Sequence, residues 1–342
     1  THWHHDHVGG VPFVLRMLHK LRREAAPGVH VPVPRVRKVP DPVTDTSFSQ
    51  RASHVPPDAY AHAPSADGLP QLMWPLEDQD QIRVCDPEDP ELASTLRVVY
   101  APGHAADHAM LWLEEDRILL TGDNVLGRGS TVFEDLIQYM YSLQRGLSLL
   151  DASKATPLGL TGTPLSGMSQ ENVLFPGHGP IIPKGKEALR RYLRHRVERE
   201  EQLIALFLCQ PGDKGQVTNA TAYPLRFIDQ ASATARTRQY TWTLRQFVST
   251  LYENYSLRAY PAIARVLLLH LQKLSMRVSD LDKPPYALTE PINSTPRAMH
   301  APLVQCMVRP SYQYTARPCP DLPRNDQEWR EALDLPWQLV AL

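Results

Sequence analysis

The sequence predicts an α+β fold followed by a small helical unit. Three observations carry that expectation. Residues 81–84, 95–100, 109–113 and 117–120 are short apolar runs, and Glu114-Glu115-Asp116 between the last two reads as a hairpin turn. Residues 133–150 and 184–209 repeat apolar side chains at helical spacing, among them Phe133, Leu136, Ile137, Met140, Leu143 and Leu147. Residues 243–252 and 261–274 do so again, close enough in sequence to pack as a pair.

In chain order, residues 1–7 are massed histidines, and Gly9-Gly10 allows a tight entry into a helix over 11–23. Val11, Val14, Leu15, Leu18 and Leu21 set its period, and Pro12 falls in the first turn, where its missing N–H is not needed. Residues 29–36 read as a short edge strand. Residues 40–75 are rich in proline and lack an apolar period, so 37–80 is expected to be a loop-like insertion. Residues 173–175 read as a short buried strand, 151–170 and 210–238 as irregular segments. A proline-rich tail covers 285–342, with a short helix over 326–333. The expected organisation is a main domain over 1–210, a small helical unit over 240–280, and that tail.

Composition narrows the function classes. The 342 residues carry 36 Lys and Arg against 37 Asp and Glu, a formal charge of -1, which excludes a strongly basic coat for nucleic acid but leaves a local groove open. The four cysteines, Cys85, Cys209, Cys306 and Cys319, have no CxxC spacing, so a thiolate zinc knuckle is not expected. No apolar run reaches the ~18 residues of a membrane span, and no membrane partner is expected.

The chemistry is concentrated in His2-Trp3-His4-His5-Asp6-His7. In an extended segment His2 and His4 point the same way and can share one metal, while Asp6 and His7 reach a second. Such a run alone also fits a histidine-rich tag or scavenger. Three further residues make a built site the better reading: His104 in APGHAADH, Asp123 in LTGDN and His178 in FPGHGP. Each follows an apolar strand beside a glycine, which lets backbone and metal approach closely. The count then divides as His2, His4 and His104 on one Zn²⁺, and Asp6, His7 and His178 on another, with Asp123 bridging.

HWHHDH, PGH, GD and PGHG together resemble the metallo-β-lactamase superfamily. The stretch TLRVVYAPGHAADHAMLWLEEDRILLTGDNVLGRGSTVFEDLIQYMYSL is similar to its β-lactamase-like endoribonuclease branch, and fungal metallo-β-lactamase-type thioesterases share the same blocks. The resemblance covers residues 1–20, 80–210 and 241–275. It implies a four-layer αββα sandwich, here read as N-terminally truncated because the strands that precede the histidine loop are missing, with a winged-helix-like unit behind. It implies a dinuclear zinc hydrolase with a metal-activated hydroxide, acting first on single-stranded RNA. The alternatives are release of polyketide acyl groups from an acyl carrier protein in secondary metabolism, small thioesters, or an inactive relic. Asp6 and Asp123 are the expected catalytic residues, and Asp107 or His108 the expected support of a ligand ring. His195 and His270 read as proton donors or, more simply, as a solvated and a packing histidine. The compartment is left open between cytoplasm and mitochondrion.

Overall fold

A computed structural model of the chain describes residues 1–26, 28–29, 31–64, 71–86, 89, 93–152, 172–207, 209–212, 240–275, 304–306 and 325–339. The chain divides into two compact units, Thr1–Leu189 and Arg190–Leu342. The expected loops over 153–170 and 213–238, most of the proline-rich tail and Cys319 lie outside the described residues.

The first unit opens with a short helix α1 (His5–Val8) and the amphipathic α2 (Val11–Glu24). Its centre is a five-stranded sheet in the order β3 (Gln81–Cys85), β4 (Ala93–Tyr100), β5 (Ala109–Leu113), β6 (Ile118–Gly122), β7 (Leu174–Pro176). Strands β3 to β6 are an antiparallel meander, and β7 joins β6 in parallel. The α+β class is therefore as the sequence predicts. Of the αββα layers, the described residues hold this sheet and helices against one face.

That packing follows from register. Val99 lies opposite Met110, Trp112 opposite Leu119, and Leu119 opposite Leu174, so these side chains share a face. Gly146 of α4 (Leu136–Ala152) comes so close to Leu119, Leu189 and Met110 that a methyl group there would meet all three at 3.3–3.5 Å. The start of α5 (Gly185–Leu206) adds the buried Ala188 and Leu189. Phe133, Leu136, Tyr139, Met140 and Leu143 are at most 2% exposed, so the period seen in the sequence is the core face of α4. The other sheet face carries Leu96, Leu111, Leu113 and Leu120, all half-buried.

The proline-rich segment departs from the expected loop. Residues 31–35 form no strand; instead β1 (Val36–Lys38) pairs in parallel with β2 (Met73–Pro75). Between them α3 (Pro42–Arg51) starts with Asp41 as N-cap, its carboxylate accepting from the Val43 amide. Phe48, Ala52, Val55, Ala59 and Leu72 pack with Leu15 of α2 into a small core. Pro42 in the first turn reads as a breaker only if the cap before it is overlooked.

The second unit has α6 (Leu244–Leu251), α7 (Tyr260–Ser275) and α8 (Asp326–Asp334), with an antiparallel sheet of β8 (Trp242–Thr243), β9 (Val304–Cys306) and β10 (Pro336–Leu339), β10 in the middle. Thr243 and Gln246 close a capping box on α6. Trp242, Phe247, Leu267 and Leu271 are fully buried in its core. The short helix expected over 326–333 is α8, and residues 336–339, expected in the irregular tail, supply the central strand β10.

Candidate metal centre

Topology explains why distant residues meet. Strand β5 runs against β4 and β6, and β7 runs with β6, so β4, β6 and β7 all end at one edge of the sheet. His104 follows β4, Asp123 follows β6 and His178 follows β7. The N-terminal segment is drawn to the same edge, where the Ala109 amide donates to the Thr1 carbonyl at 2.9 Å. Asp6 and His7 stand on α1, with His4 as its N-cap.

Among the described residues two groups have the reach to hold a cation: His2, His4, His104 and Asp123, and Asp6, His7, Asp123 and His178. The two groups bring together the seven residues named from the sequence, in the expected division, with Asp123 common to both. In the first group His2 Nε2 lies 2.8 Å from His4 Nδ1, and His104 Nε2 lies 3.2 Å and 3.0 Å from them. Two imidazole nitrogens on a tetrahedral cation with metal–nitrogen bonds of 2.0–2.1 Å are separated by roughly 3.3 Å, so the triangle is close to that of a coordination shell. In the second, His178 Nε2 lies 3.0 Å from Asp6 Oδ2 and 3.4 Å from Asp123 Oδ2, and His7 Nε2 lies 3.3 Å from Asp123 Oδ1.

The donors are electronically ready. Burial, ahead of the neighbouring rings, lowers the pKa of His2, His4 and His104, so each is neutral near pH 7 and offers a lone pair. His104 Nδ1 donates to the Val132 carbonyl at 2.7 Å, which leaves Nε2 as the free lone pair. His7 Nε2 and Asp123 Oδ1 are buried and make no hydrogen bond among the described residues. Orphaned, inward-facing acceptors of this kind fit a cation.

Surrounding contacts fix the frame. His108, fully buried and held neutral by that burial, donates from Nδ1 to the Ala101 carbonyl at 3.1 Å, and its Nε2 accepts from the Asp123 amide at 3.1 Å. Thr131 Oγ1 donates to the Asp123 carbonyl at 2.6 Å. Gly177 is required where it stands: a Cβ there would lie 2.5 Å from Asp123 Oδ1 and 3.0 Å from His7 Cε1. Of the two residues expected to support a ligand ring, His108 contacts the centre, whereas Asp107 is fully buried against Lys38 Nζ at 2.6 Å. His195 and His270 lie in the second unit, His270 buried beside Glu200. Thr131 and Lys38 carry no local signal that sequence reading could have used.

The centre is buried on one side and open on the other. His2 and His104 are at most 3% exposed, whereas His178 and Asp6 side chains are 49% and 58% exposed. The open side of the centre is therefore lined by Asp6 and His178.

No family model matches the chain. Among individual proteins, it is 31% identical over 204 residues to "Beta-lactamase-like protein 2 homolog" of Caenorhabditis elegans, an alignment covering 60% of this chain and 49% of that protein. It is 30% identical over 225 residues to "Atrochrysone carboxyl ACP thioesterase AgnL7" of Paecilomyces divaricatus, covering 66% and 51%. The crystal structure of a β-lactamase domain protein from Burkholderia ambifaria aligns over 66% of this chain and 49% of that one, at 18% identity and a TM-score of 0.38. The chain thus spans about half the length of the curated relatives it matches. Its sequence, with the HWHHDH, PGH, GD and PGHG blocks, is similar to β-lactamase-like proteins and to an acyl carrier protein thioesterase.

Proposed function

We propose that the centre is a dinuclear zinc site and that it hydrolyses acyl thioesters carried on an acyl carrier protein. The observation behind the metal assignment is Asp123, whose carboxylate faces His104 at 3.8 Å on one side and His7 and His178 at 3.3 and 3.4 Å on the other. His2, His4 and His104 would hold one cation, Asp6, His7 and His178 the other, and Asp123 both. A pair of cations held there supplies Lewis acidity and brings the pKa of a water toward ~7.

The chain's own residues set the rest. Asp123, anchored through its amide and carbonyl to His108 and Thr131, keeps the two donor groups at fixed spacing. Asp6 lies at the open side. Desolvation acts to raise its pKa, but its own backbone amide and then the His7 and His178 rings prevail, so its carboxyl stays below the usual range and ionised. With Oδ2 turned to His178, Oδ1 is left to take the proton of the attacking water. The carbonyl carbon gains a C–O bond and loses its C–S bond, and that proton passes from Asp6 to the departing sulfur.

The substrate assignment is supported by the relative named as an acyl carrier protein thioesterase. Single-stranded RNA is the second reading, favoured by the exposed Arg190, Arg191 and Arg194 on α5. The test is metal analysis of the purified chain, followed by incubation with an acyl thioester and, separately, with unstructured RNA. We expect about two zinc ions per chain and thioester turnover that is lost in Asp123→Ala and His104→Ala. Cleavage of RNA with the thioester intact overturns the substrate; absence of bound metal leaves an inactive relic.

A further inference from the structure

Lys38 ends β1, at the start of the proline-rich segment, which supplies none of the grouped donors. Its side chain is 9% exposed, and its ammonium stands between two carboxylates from different parts of the first unit. Asp45 Oδ1, on α3, lies at 2.6 Å, and Asp107 Oδ2, in the loop between β4 and β5, also lies at 2.6 Å. Asp45 is itself tied down, because its Oδ2 accepts from the Asp41 amide at 2.8 Å, at the cap of the same helix. Asp107 is fully buried, and its Oδ1 accepts no hydrogen bond among the described residues. A buried carboxylate needs a cation beside it, and Lys38 is the side-chain cation that the fold brings there.

The place of Asp107 in its loop gives this pair its reach. Asp107 stands three residues after the donor His104 and directly before His108, whose Nε2 accepts the Asp123 amide. The loop is closed on itself. The Ala101 amide donates to the His108 carbonyl at 2.9 Å, and the Gly103 and His108 amides both donate to the Ala105 carbonyl, at 3.2 and 3.3 Å. A displacement of Asp107 therefore carries His104 and His108 with it. Without Lys38 the buried carboxylate must turn toward water, and that turn opens the loop.

We propose that Lys38 is a positioning residue of the metal centre: through Asp107 it holds the loop that carries His104 and His108, so that the proline-rich segment steadies a cation site to which it gives no donor. The proposal rests on the metal assignment above. Its sign separates it from simple electrostatics. Removing a positive charge near a bound cation raises the affinity for that cation, whereas removing a brace lowers it. Zinc affinity of the full chain is measured by competition with a chromophoric chelator, with far-UV circular dichroism as the check on folding. Lys38→Met should weaken zinc binding about 100-fold, and Asp107→Asn, which leaves Lys38 paired with Asp45, about tenfold. The double variant Lys38→Met/Asp107→Asn buries no charge at position 107. It should bind zinc within about threefold of Asp107→Asn, more tightly than Lys38→Met alone. Lost packing would instead leave the double variant at least as weak as Lys38→Met. Unchanged or tighter binding in Lys38→Met, or a double variant more than about threefold weaker than Asp107→Asn, overturns the proposal. If Lys38→Met does not fold, the other two variants decide by the same limit, and unchanged affinity in Asp107→Asn overturns the proposal. Absence of bound zinc in the unmodified chain overturns the metal assignment instead.

Discussion

His108 is not among the seven grouped donor residues, yet Asp123 depends on it. Its ring spans from the Ala101 carbonyl to the Asp123 amide, both at 3.1 Å, inside a site with no water-exposed alternative. His108→Leu strands that amide. Leaving a buried donor unpaired costs about 1–3 kcal/mol, and losing a contact that orients a ligand weakens metal binding about 10–100-fold. Competition with a chromophoric chelator should show that loss, and His108→Asn, which keeps an acceptor oxygen, should recover part of it. Equal affinity in His108→Leu and the unmodified chain would mean that Asp123 is positioned otherwise. The grouped donors were legible in the sequence, four as one histidine-rich run and three, His104, Asp123 and His178, because each sits beside glycine after an apolar strand. Of the residues that aim them, His108 was legible in the same stretch as His104, whereas Thr131 reaches Asp123 by folding alone, and nothing in its neighbours announces it.

At the scale of elements, legibility followed burial. Helices α4, α5 and α7 bury a full stripe, so their periods were visible. Helix α3 buries only Phe48 among its ten residues, and no stripe exists to read. Its signal was Asp41-Pro42, a cap and first-turn pair. Because Phe48 is the aromatic anchor of the small core with Leu15 and Leu72, Phe48→Ala should cost about 3–5 kcal/mol locally, seen as proteolytic cutting near residues 42–51 while β4–β6 stay protected. A separate element-level device joins α5 to α7. His270, fully buried, faces Glu200 Oε1 at 3.4 Å, and Lys273 Nζ pairs with Glu200 Oε2 at 2.8 Å. Burial, partly opposed by Glu200, lowers the His270 pKa to about 4, against 6.5 for an exposed ring. The unfolded chain therefore binds the proton first as pH falls. This contribution is complete above pH 6.5, declines as the pH drops toward 4, and changes no further below it. Between pH 7 and 5 it amounts to about 2 kcal/mol. Thermal melts of the unmodified chain and His270→Gln should diverge in their pH dependence over that interval, the variant being flatter. Parallel curves would remove His270 from the account.

Over the whole molecule, the donors of the centre and the core of the second unit are physically separate dependencies. Every grouped donor lies within Thr1–Leu189, while Trp242, Phe247, Leu267 and Leu271 build the core of Arg190–Leu342 without any of them. Without a cation the first unit must keep three imidazole nitrogens within 3.2 Å of one another and leave His7 Nε2 and Asp123 Oδ1 buried without a hydrogen bond. Bound metal removes both penalties and stabilises only the state that holds the site together. At free zinc one hundred times the dissociation constant, the gain is about 2.7 kcal/mol per site. Hydrogen exchange on the full chain, read by mass spectrometry with zinc and with a chelator in excess, resolves where that energy acts. Amides in residues 1–24 and in β4, β5 and β6 should exchange about a hundredfold faster after chelation. Those of α6 and α7 should keep their protection, because their core contains no ligand. Uniform loss across both units would mean that the two fold as one cooperative body, and unchanged exchange in residues 1–24 would mean that the histidine loop holds its place without metal.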